Sequence, residues 1–365
     1  MPLGKKLITQ KGAGNESEGS EYEKQSTMKR IGNLYEKVIS VENLRLADRK
    51  ARCGKLKSYG VQRHDRHSET HIQALHVQLK EKKYLTSPYH VFKVYEPKER
   101  DIFQLPYYPD RIVHHAIMNV LEPIWVSIFT SDTYSCIKGR GIHKTATRVK
   151  KNLKKDPEGT KYCLKIDIRK FYPNIDHAIL KQLIRRKIKD VELLQLLDSI
   201  IDSAKGVPIG NYLSQYFANL YLSYFDHWLK EILKVKYYFR YADDMVFLHS
   251  NKAYLHDLLN KITQYLKDNL NLTLKGNYQV FPVSARGIDF VGYVFFHTHT
   301  LMRKTIKKNF CKAVTRLNKR EYISEKDYKF KICGWYGWAK HCNSRNLLKT
   351  ILKTEIYVSS LQNAA

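Results

Sequence analysis

YYFRYADDMVFLHS, residues 237–250, consists of two apolar, β-rich runs closed around an acidic pair. Runs this rich in Tyr, Phe, Val and Leu predict strands, and the pair falls at the bend between them. Asp favours turns, so the pair alone also fits a plain hairpin bend. A second acid tips the reading. Asp167 sits in LKIDIRKFY (164–172), again inside an apolar strand pattern. A buried carboxylate is costly unless it is paired or holds a cation. Asp243 and Asp244 cannot both be buried and ionised without a strong counter-charge. Hard oxygen donors with no Cys or His set beside them point to Mg2+, with Mn2+ as substitute, rather than zinc. A carboxylate on one strand and a pair on a neighbouring hairpin suit two ions, which would clamp the attacking and leaving oxygens of an in-line phosphoryl displacement. Asp167 and Asp243 rank first as ligands. Asp244 follows, because neighbours on a strand point to opposite faces, and the carbonyl of Ile168 joins the set.

Outward from this centre, the apolar period alternates between 3.6 and 2 residues. Helices are predicted within 28–52 and over 68–83, then a hairpin over 91–106 with a basic tip at Pro97-Lys98-Glu99. A helix near 110–128, the Gly-punctuated basic loop SCIKGRGIH (135–143) and a further helix lead to the strand at 161–168. Helix 177–203, the turn GVPIGN (206–211) and helix 213–233 precede the acidic hairpin. Helix 252–270 and strands near 272–275, 279–283 and 288–296 follow. From residue 301 the chain carries 15 Lys+Arg against 4 Asp+Glu and reads as helical. The expected fold class is α+β.

The 365 residues carry 64 Lys+Arg against 35 Asp+Glu, a net charge of +29. Self-repulsion on that scale calls for a polyanionic partner, nucleic acid first. No apolar run is long enough to span a membrane or to act as a secretion signal. The six Cys are scattered with no CxxC pair, which argues against a zinc module or disulfide framework and for a reducing, cytoplasmic setting. His64, His67, His71 and His76 lack a Cys partner and sit among Arg63 and Arg66, so the metal reading is rejected in favour of a nucleic-acid-facing helix.

The motifs together resemble those of reverse transcriptases. YADD (241–244) is similar to their catalytic motif, and LKIDIRKFYPNID (164–176) to the first acidic motif, with an aromatic, Tyr172, five residues after the Asp. GVPIGNYLSQYFANLYL (206–222) resembles the helix-entry motif between the two, and GIDFVGY (287–293) the strand that grips the primer. PDRIVHHAIMNVLEPI (109–124) and SCIKGRGIH resemble upstream finger motifs. Group II intron and retron enzymes typically place Gln before the Gly of the helix-entry motif. Here Ile209 precedes Gly210 and Ser214-Gln215 follows, the pattern of reverse transcriptases from diversity-generating retroelements.

The resemblance implies a right-hand polymerase: a flexible tail (1–27), fingers (28–160), a palm bearing the acids (161–295) and a basic helical thumb (296–365). It implies RNA template, cDNA or primer, and deoxynucleotide triphosphates as partners, and a small basic, oligomeric accessory protein. Tyr172 would exclude a 2′-hydroxyl. Arg100 would take the triphosphate, Gly210 would let the backbone approach the nucleotide, and Gln215 would lie beside it. Ile209 would replace a polar contact with an apolar one and so weaken base selection, in keeping with errors opposite template adenines. Lys275 is the expected proton donor to pyrophosphate, although the family's Lys sits a few residues further on, where this chain has Asn277 and Tyr278. Lys98, Arg140, Phe290, Gly292 and Tyr293 are the expected nucleic-acid contacts.

Overall fold

The computed structural model describes residues 29–95 and 99–352. The tail 1–27, Lys98 at the hairpin tip and the end of the basic C-terminal segment lie outside them. The order is α1 (Tyr35–Ile39), α2 (Val41–Ala51), α3 (Tyr59–Asp65), α4 (Ser68–Lys80), β1 (His90–Val94), β2 (Arg100–Gln104), α5 (Ile112–Val126), α6 (Ile142–Lys155) and β3 (Tyr162–Asp167). Next come α7 (His177–Arg185), α8 (Val191–Asp202), α9 (Tyr212–Tyr221), α10 (Ser223–His227), β4 (Tyr237–Tyr241), β5 (Asp244–His249) and α11 (Lys252–Leu270). The chain continues with β6 (Gln279–Pro282), α12 (Val283–Arg286), β7 (Ile288–Phe290), β8 (Tyr293–Phe295), β9 (Thr300–Met302), α13 (Lys304–Asn318), α14 (Glu325–Ala339) and α15 (Arg345–Ile351).

Capping side chains break helices that the apolar period alone runs together. Ser40 caps α2 by accepting from Asn43 N at 3.3 Å. Asp190 divides the 177–203 segment: one oxygen accepts from Leu193 N, capping α8, and the other from Leu34 N and Tyr35 N at the start of α1. One carboxylate therefore caps two helices 155 residues apart in sequence. The strand expected at 272–275 shrinks to one antiparallel bridge, Leu274 with Ile168. The single strand expected at 288–296 is a hairpin, β7–β8, and β9 extends it into a third strand.

The central antiparallel sheet has strand order β4-β5-β3-β6. Alternation gives it two different faces. Tyr238, Met245, Phe247, Leu164 and Ile166 face the large core built by α1–α5 and α7–α11. Tyr237, Phe239, Val246, Leu248, Cys163 and Phe281 face a second core, with Val149 and Leu153 of α6 and Phe290, Tyr293 and Phe295 of the β7–β8 hairpin. A third cluster, around Phe310, Val314, Tyr328 and Ile332, holds α13–α15 together. The sheet thus lies between helices on one side and α6 with a small three-stranded sheet on the other, and the basic helices follow in sequence.

Candidate active site

The second sheet face is apolar along most of its length and acidic at one end. Asp167 on β3 pairs directly with Asp244 on β5, so both carboxylates stand on that face. Tyr241 lies opposite Asp244 on β4. Across the Ile168–Leu274 bridge, Lys275 N donates to Asp167 O at 2.9 Å and Arg169 N to Thr273 O at 2.8 Å. Lys275 is thereby the cross-strand partner of Asp167, and the Ile168 carbonyl stays out of that ladder. One row reads Tyr241, Asp244, Asp167, Lys275. Asp243 sits in the bend beside it, after Ala242 at φ 54°. Pairing across strands, not adjacency along one, decides which acids share a face, so Asp244 joins Asp167 more squarely than strand alternation alone suggests.

The acids compete for charge. Burial first, then the neighbouring Asp167, push the Asp243 carboxyl up to about 6. Burial also pushes Asp244 up to about 6; Lys165 opposes the shift, and Asp167 and Asp243 add to it. A carboxyl raised on folding favours the fold in its protonated form. Its stabilisation is present at low pH and is lost as pH rises from about 4 to about 6. Without divalent ions, Asp244→Asn is therefore expected to be more stable than wild type at pH 7, by on the order of 1 kcal/mol, and equal to it near pH 4. Urea unfolding in EDTA at both pH values measures this. The same difference at both would show that Asp244 is not raised.

Asp167 Oδ1 and Asp244 Oδ1 are buried and have no hydrogen-bond partner. Such oxygens are costly to leave unpaired, and their hardness fits Mg2+ or Mn2+. Among the described residues no cluster of three His, Cys, Asp or Glu side chains is arranged to hold a metal ion. Ammonium groups stand close instead: Lys275 Nζ is 2.5 Å from Asp167 Oδ2, and Lys165 Nζ is 3.6 Å from Asp244 Oδ2.

Tyr172 adjoins this row. Burial pushes its hydroxyl well up; Cys136 and Asp243 add to this, while Arg240 and Arg100 oppose it. Its carbonyl accepts from Val207 N at 2.9 Å. Gly206 (φ 62°) packs so tightly that a Cβ would sit 2.5 Å from the Pro173 carbonyl oxygen. On the other side, Phe103 N of β2 donates to Ile209 O at 2.8 Å, and a Cβ on Gly210 (φ 124°) would sit 2.6 Å from Phe103 O. The close approach that Gly210 permits is therefore to the β1–β2 hairpin. Gly210→Ala is expected to cost about 1–3 kcal/mol and to loosen that hairpin. Faster hydrogen exchange at the Phe103 amide would report it, and unchanged exchange would refute it.

Other expected site residues are scattered. Arg100 is exposed at the start of β2, opposite Val94, and Gln215 is exposed on α9. Arg140 donates from Nη1 to the carbonyls of Thr130 (2.6 Å) and Thr133 (2.8 Å), so the guanidinium braces its own loop. Phe290 and Tyr293 are corrected: both side chains are fully buried in the second core, out of reach of a nucleic acid, and Tyr293 Oη donates to Trp338 O. Gly292 (φ 85°) is closed in by the Trp338 ring, with which a Cβ there would clash. Of the histidines, His64 is buried, its Nδ1 is 3.1 Å from that of half-buried His71, and Tyr108 stacks on both rings, while His67 is exposed.

Sequence reasoning missed the residue beneath the bend. Arg240, on the opposite face of β4, is fully buried beside the fully buried Asp226 of α10. Its Nε lies 2.8 Å from Asp226 Oδ1 and its Nη2 2.5 Å from Oδ2. Nη1 donates to Asn219 Oδ1 and to the Ala242 carbonyl, each at 3.2 Å. Tyr238 Oη and Thr133 Oγ1 complete the ring around Asp226. The signal was present in the sequence: an Arg inside YYFRY and an Asp inside LYLSYFDHWL, each too costly for its apolar surroundings unless paired.

A helix-backed antiparallel sheet presenting acids from one strand and the adjoining hairpin bend is the palm of a right-hand polymerase. Comparison with known proteins narrows the class. Residues 97–295 match the family model "Reverse transcriptase (RNA-dependent DNA polymerase)", and the chain belongs to that family. Protein YkfC of Escherichia coli K12 is 26% identical, with 58% of this chain and 66% of that one covered. The group II intron-encoded protein LtrA of Lactococcus lactis subsp. cremoris is 27% identical, with 47% and 30% covered. The chain spans under two thirds of the length of these relatives. Among solved structures, apo telomerase of Candida tropicalis is similar at a TM-score of 0.49 and 13% identity, over 77% of this chain and 58% of that one.

Proposed function

We propose that this chain is an RNA-directed DNA polymerase that copies a template-repeat RNA into cDNA for a diversity-generating retroelement, with errors concentrated opposite template adenines. The observation that carries the polymerase reading is the cross-strand pair Asp167–Asp244 with Asp243 at the adjoining bend, two of whose buried oxygens lack partners. Asp167, Asp243, Asp244 and the Ile168 carbonyl would hold two Mg2+ ions, or Mn2+ in their place. Ions bound there would lower the pKa of a primer 3′-hydroxyl and neutralise charge on the leaving pyrophosphate.

This chain's own residues supply position. Tyr172, held by the Val207 amide, lies under the incoming sugar. Arg100, at the turn end of β2, offers a planar fork to the triphosphate, and Lys98 is a further proposed nucleic-acid contact. Ile209 and Gln215 flank the nucleotide. Ile209 presents an apolar contact where relatives offer an amide, which supports weak base selection. The basic helices α13–α15 would lie along the template–product duplex and contact phosphates without reading sequence. A small basic, oligomeric accessory protein is the proposed protein partner. No helix among the described residues is long and apolar enough to cross a membrane.

The test is primer extension on a mixed-sequence RNA template with Mg2+ and deoxynucleotides, followed by sequencing of the products. Extension that EDTA abolishes supports the polymerase. Errors clustered opposite adenine support the retroelement role, whereas evenly spread errors favour a retron-type or defence-associated enzyme. No extension, with and without the accessory protein, would overturn the reading.

A further inference from the structure

The row Tyr241, Asp244, Asp167, Lys275 ends in a cation belonging to the chain itself. Lys275 is held twice. Its amide is fixed to the Asp167 carbonyl in the ladder, and its ammonium lies 2.5 Å from Asp167 Oδ2. Because the register places it, this contact follows from the fold and is not a surface side chain's chance encounter. It is also only partly exposed, with relative side-chain accessibilities of 32% for Lys275 and 28% for Asp167. Lys165 stands on the same face at the other acid, 3.6 Å from Asp244 Oδ2, but it is tied by a 2.5 Å hydrogen bond to the Asp289 carbonyl. Arg303, 2.6 Å from Asp289 Oδ1, braces that residue in turn. Lys165 is thus moored to the β7–β8 hairpin, while the Lys275 ammonium is paired with Asp167 itself.

We infer that Lys275 is a tethered counter-ion that occupies the Asp167 carboxylate while the site is empty of metal and must swing away before a divalent ion binds there. This rests on the polymerase reading. In the ion-free protein, three carboxylates lie together with two ammonium groups, and a like-charged cluster of this kind is destabilised without them. A divalent ion at Asp167 meets the ammonium as a competitor, both by occupying Oδ2 and by like-charge repulsion at close range. The energy of leaving Asp167 is regained only if Lys275 finds another anion. The incoming triphosphate is the obvious one, because it arrives beside the same row. Ion occupancy and nucleotide occupancy are then coupled reciprocally, as any two linked binding events must be. The site stays poor in metal until substrate is present. This role is distinct from donating a proton to pyrophosphate: it concerns the state before chemistry and needs no change in protonation.

The test is Mn2+ binding to the full chain without nucleotide, read from the free-ion electron paramagnetic resonance signal. Wild type is compared with Lys275→Gln, Lys275→Met and Lys275→Arg. Both neutral variants are expected to bind Mn2+ at least fivefold more tightly than wild type, and Lys275→Arg no more tightly than wild type. In EDTA the neutral variants should melt below wild type, and Mn2+ should raise their Tm by more than it raises the wild-type value. Lys275→Met guards against a folding defect peculiar to the Gln variant. Mn2+ affinity in both neutral variants equal to or weaker than wild type would overturn the inference. Primer extension by the same wild-type preparation separates the two readings. An active wild type with unchanged Mn2+ binding in the variants overturns the counter-ion alone. An inactive wild type with tighter binding in the variants overturns the polymerase reading and leaves the counter-ion standing.

Discussion

Asp243→Ala is expected to lower primer extension by about 10³-fold or more, since ligation of a catalytic ion is worth several kcal/mol of transition-state stabilisation. The same substitution should raise the Tm of the ion-free protein at neutral pH. Asp243 is a carboxyl whose ionisation is opposed by burial and by Asp167. Removing it relieves that opposition and leaves the large core on the other sheet face untouched. The two effects have opposite signs, and that makes the result diagnostic. A variant inactive because it misfolds would melt earlier. A variant inactive because it has lost an ion ligand would melt later in EDTA, and Mg2+ would shift its Tm less than it shifts the wild type. Differential scanning calorimetry with and without Mg2+, run beside the extension assay, reads both. Retained extension would remove Asp243 from the site, whatever the melting behaviour.

What the sequence made legible follows from which signals are local. The acidic bend was readable because two strongly alternating runs enclose it, and β4 and β5 pair from Tyr237–Leu248 to Tyr241–Asp244. Helix 252–270 was readable because Asn251 caps it, accepting from Ala253 N and Tyr254 N, and six apolar residues keep the period. The hairpin expected at 91–106 is β1–β2, with register from His90–Gln104 to Val94–Arg100. The β7–β8 turn was hidden because its first corner is Val291 at φ 43°, a β-branched residue where such turns ordinarily carry Asn or Gly. Phe290 and Tyr293 were expected at nucleic acid only from the resemblance of GIDFVGY to a primer-gripping strand; as two three-residue strands packed on the main sheet, the segment turns both inward. The double cap at Asp190 and the pairing of Lys275 with Asp167 join residues 155 and 108 positions apart. Nothing in either segment alone announces its partner.

Arg240→Met carries the second large effect, on stability. It should destabilise the protein by about 3–5 kcal/mol, because it leaves the Asp226 carboxylate buried and unpaired. The cost comes from the stranded charge more than from the lost attraction, and a second substitution separates them. Asp226→Asn in the Arg240→Met background removes the charge; Tyr238 Oη and Thr133 Oγ1 now donate to different Asp226 oxygens, so the amide oxygen can accept from one hydroxyl and the amide NH2 can donate to the other. The double variant should therefore be clearly more stable than Arg240→Met alone in urea unfolding. Catalysis should not recover with it. Arg240 also donates to the carbonyl of Ala242, a non-glycine residue held at φ 54° immediately before Asp243. Holding an L-residue there costs free energy that its surroundings must offset. With no guanidinium in either variant, the bend can relax and Asp243 can drift relative to Asp167. A displacement of about 1 Å at a reacting centre can cost on the order of 10²-fold in rate. Stability rescued with kcat still depressed would assign Arg240 to positioning the bend. If kcat returned in step with stability, the pair would be structural cement alone, and the Ala242 contact would be incidental.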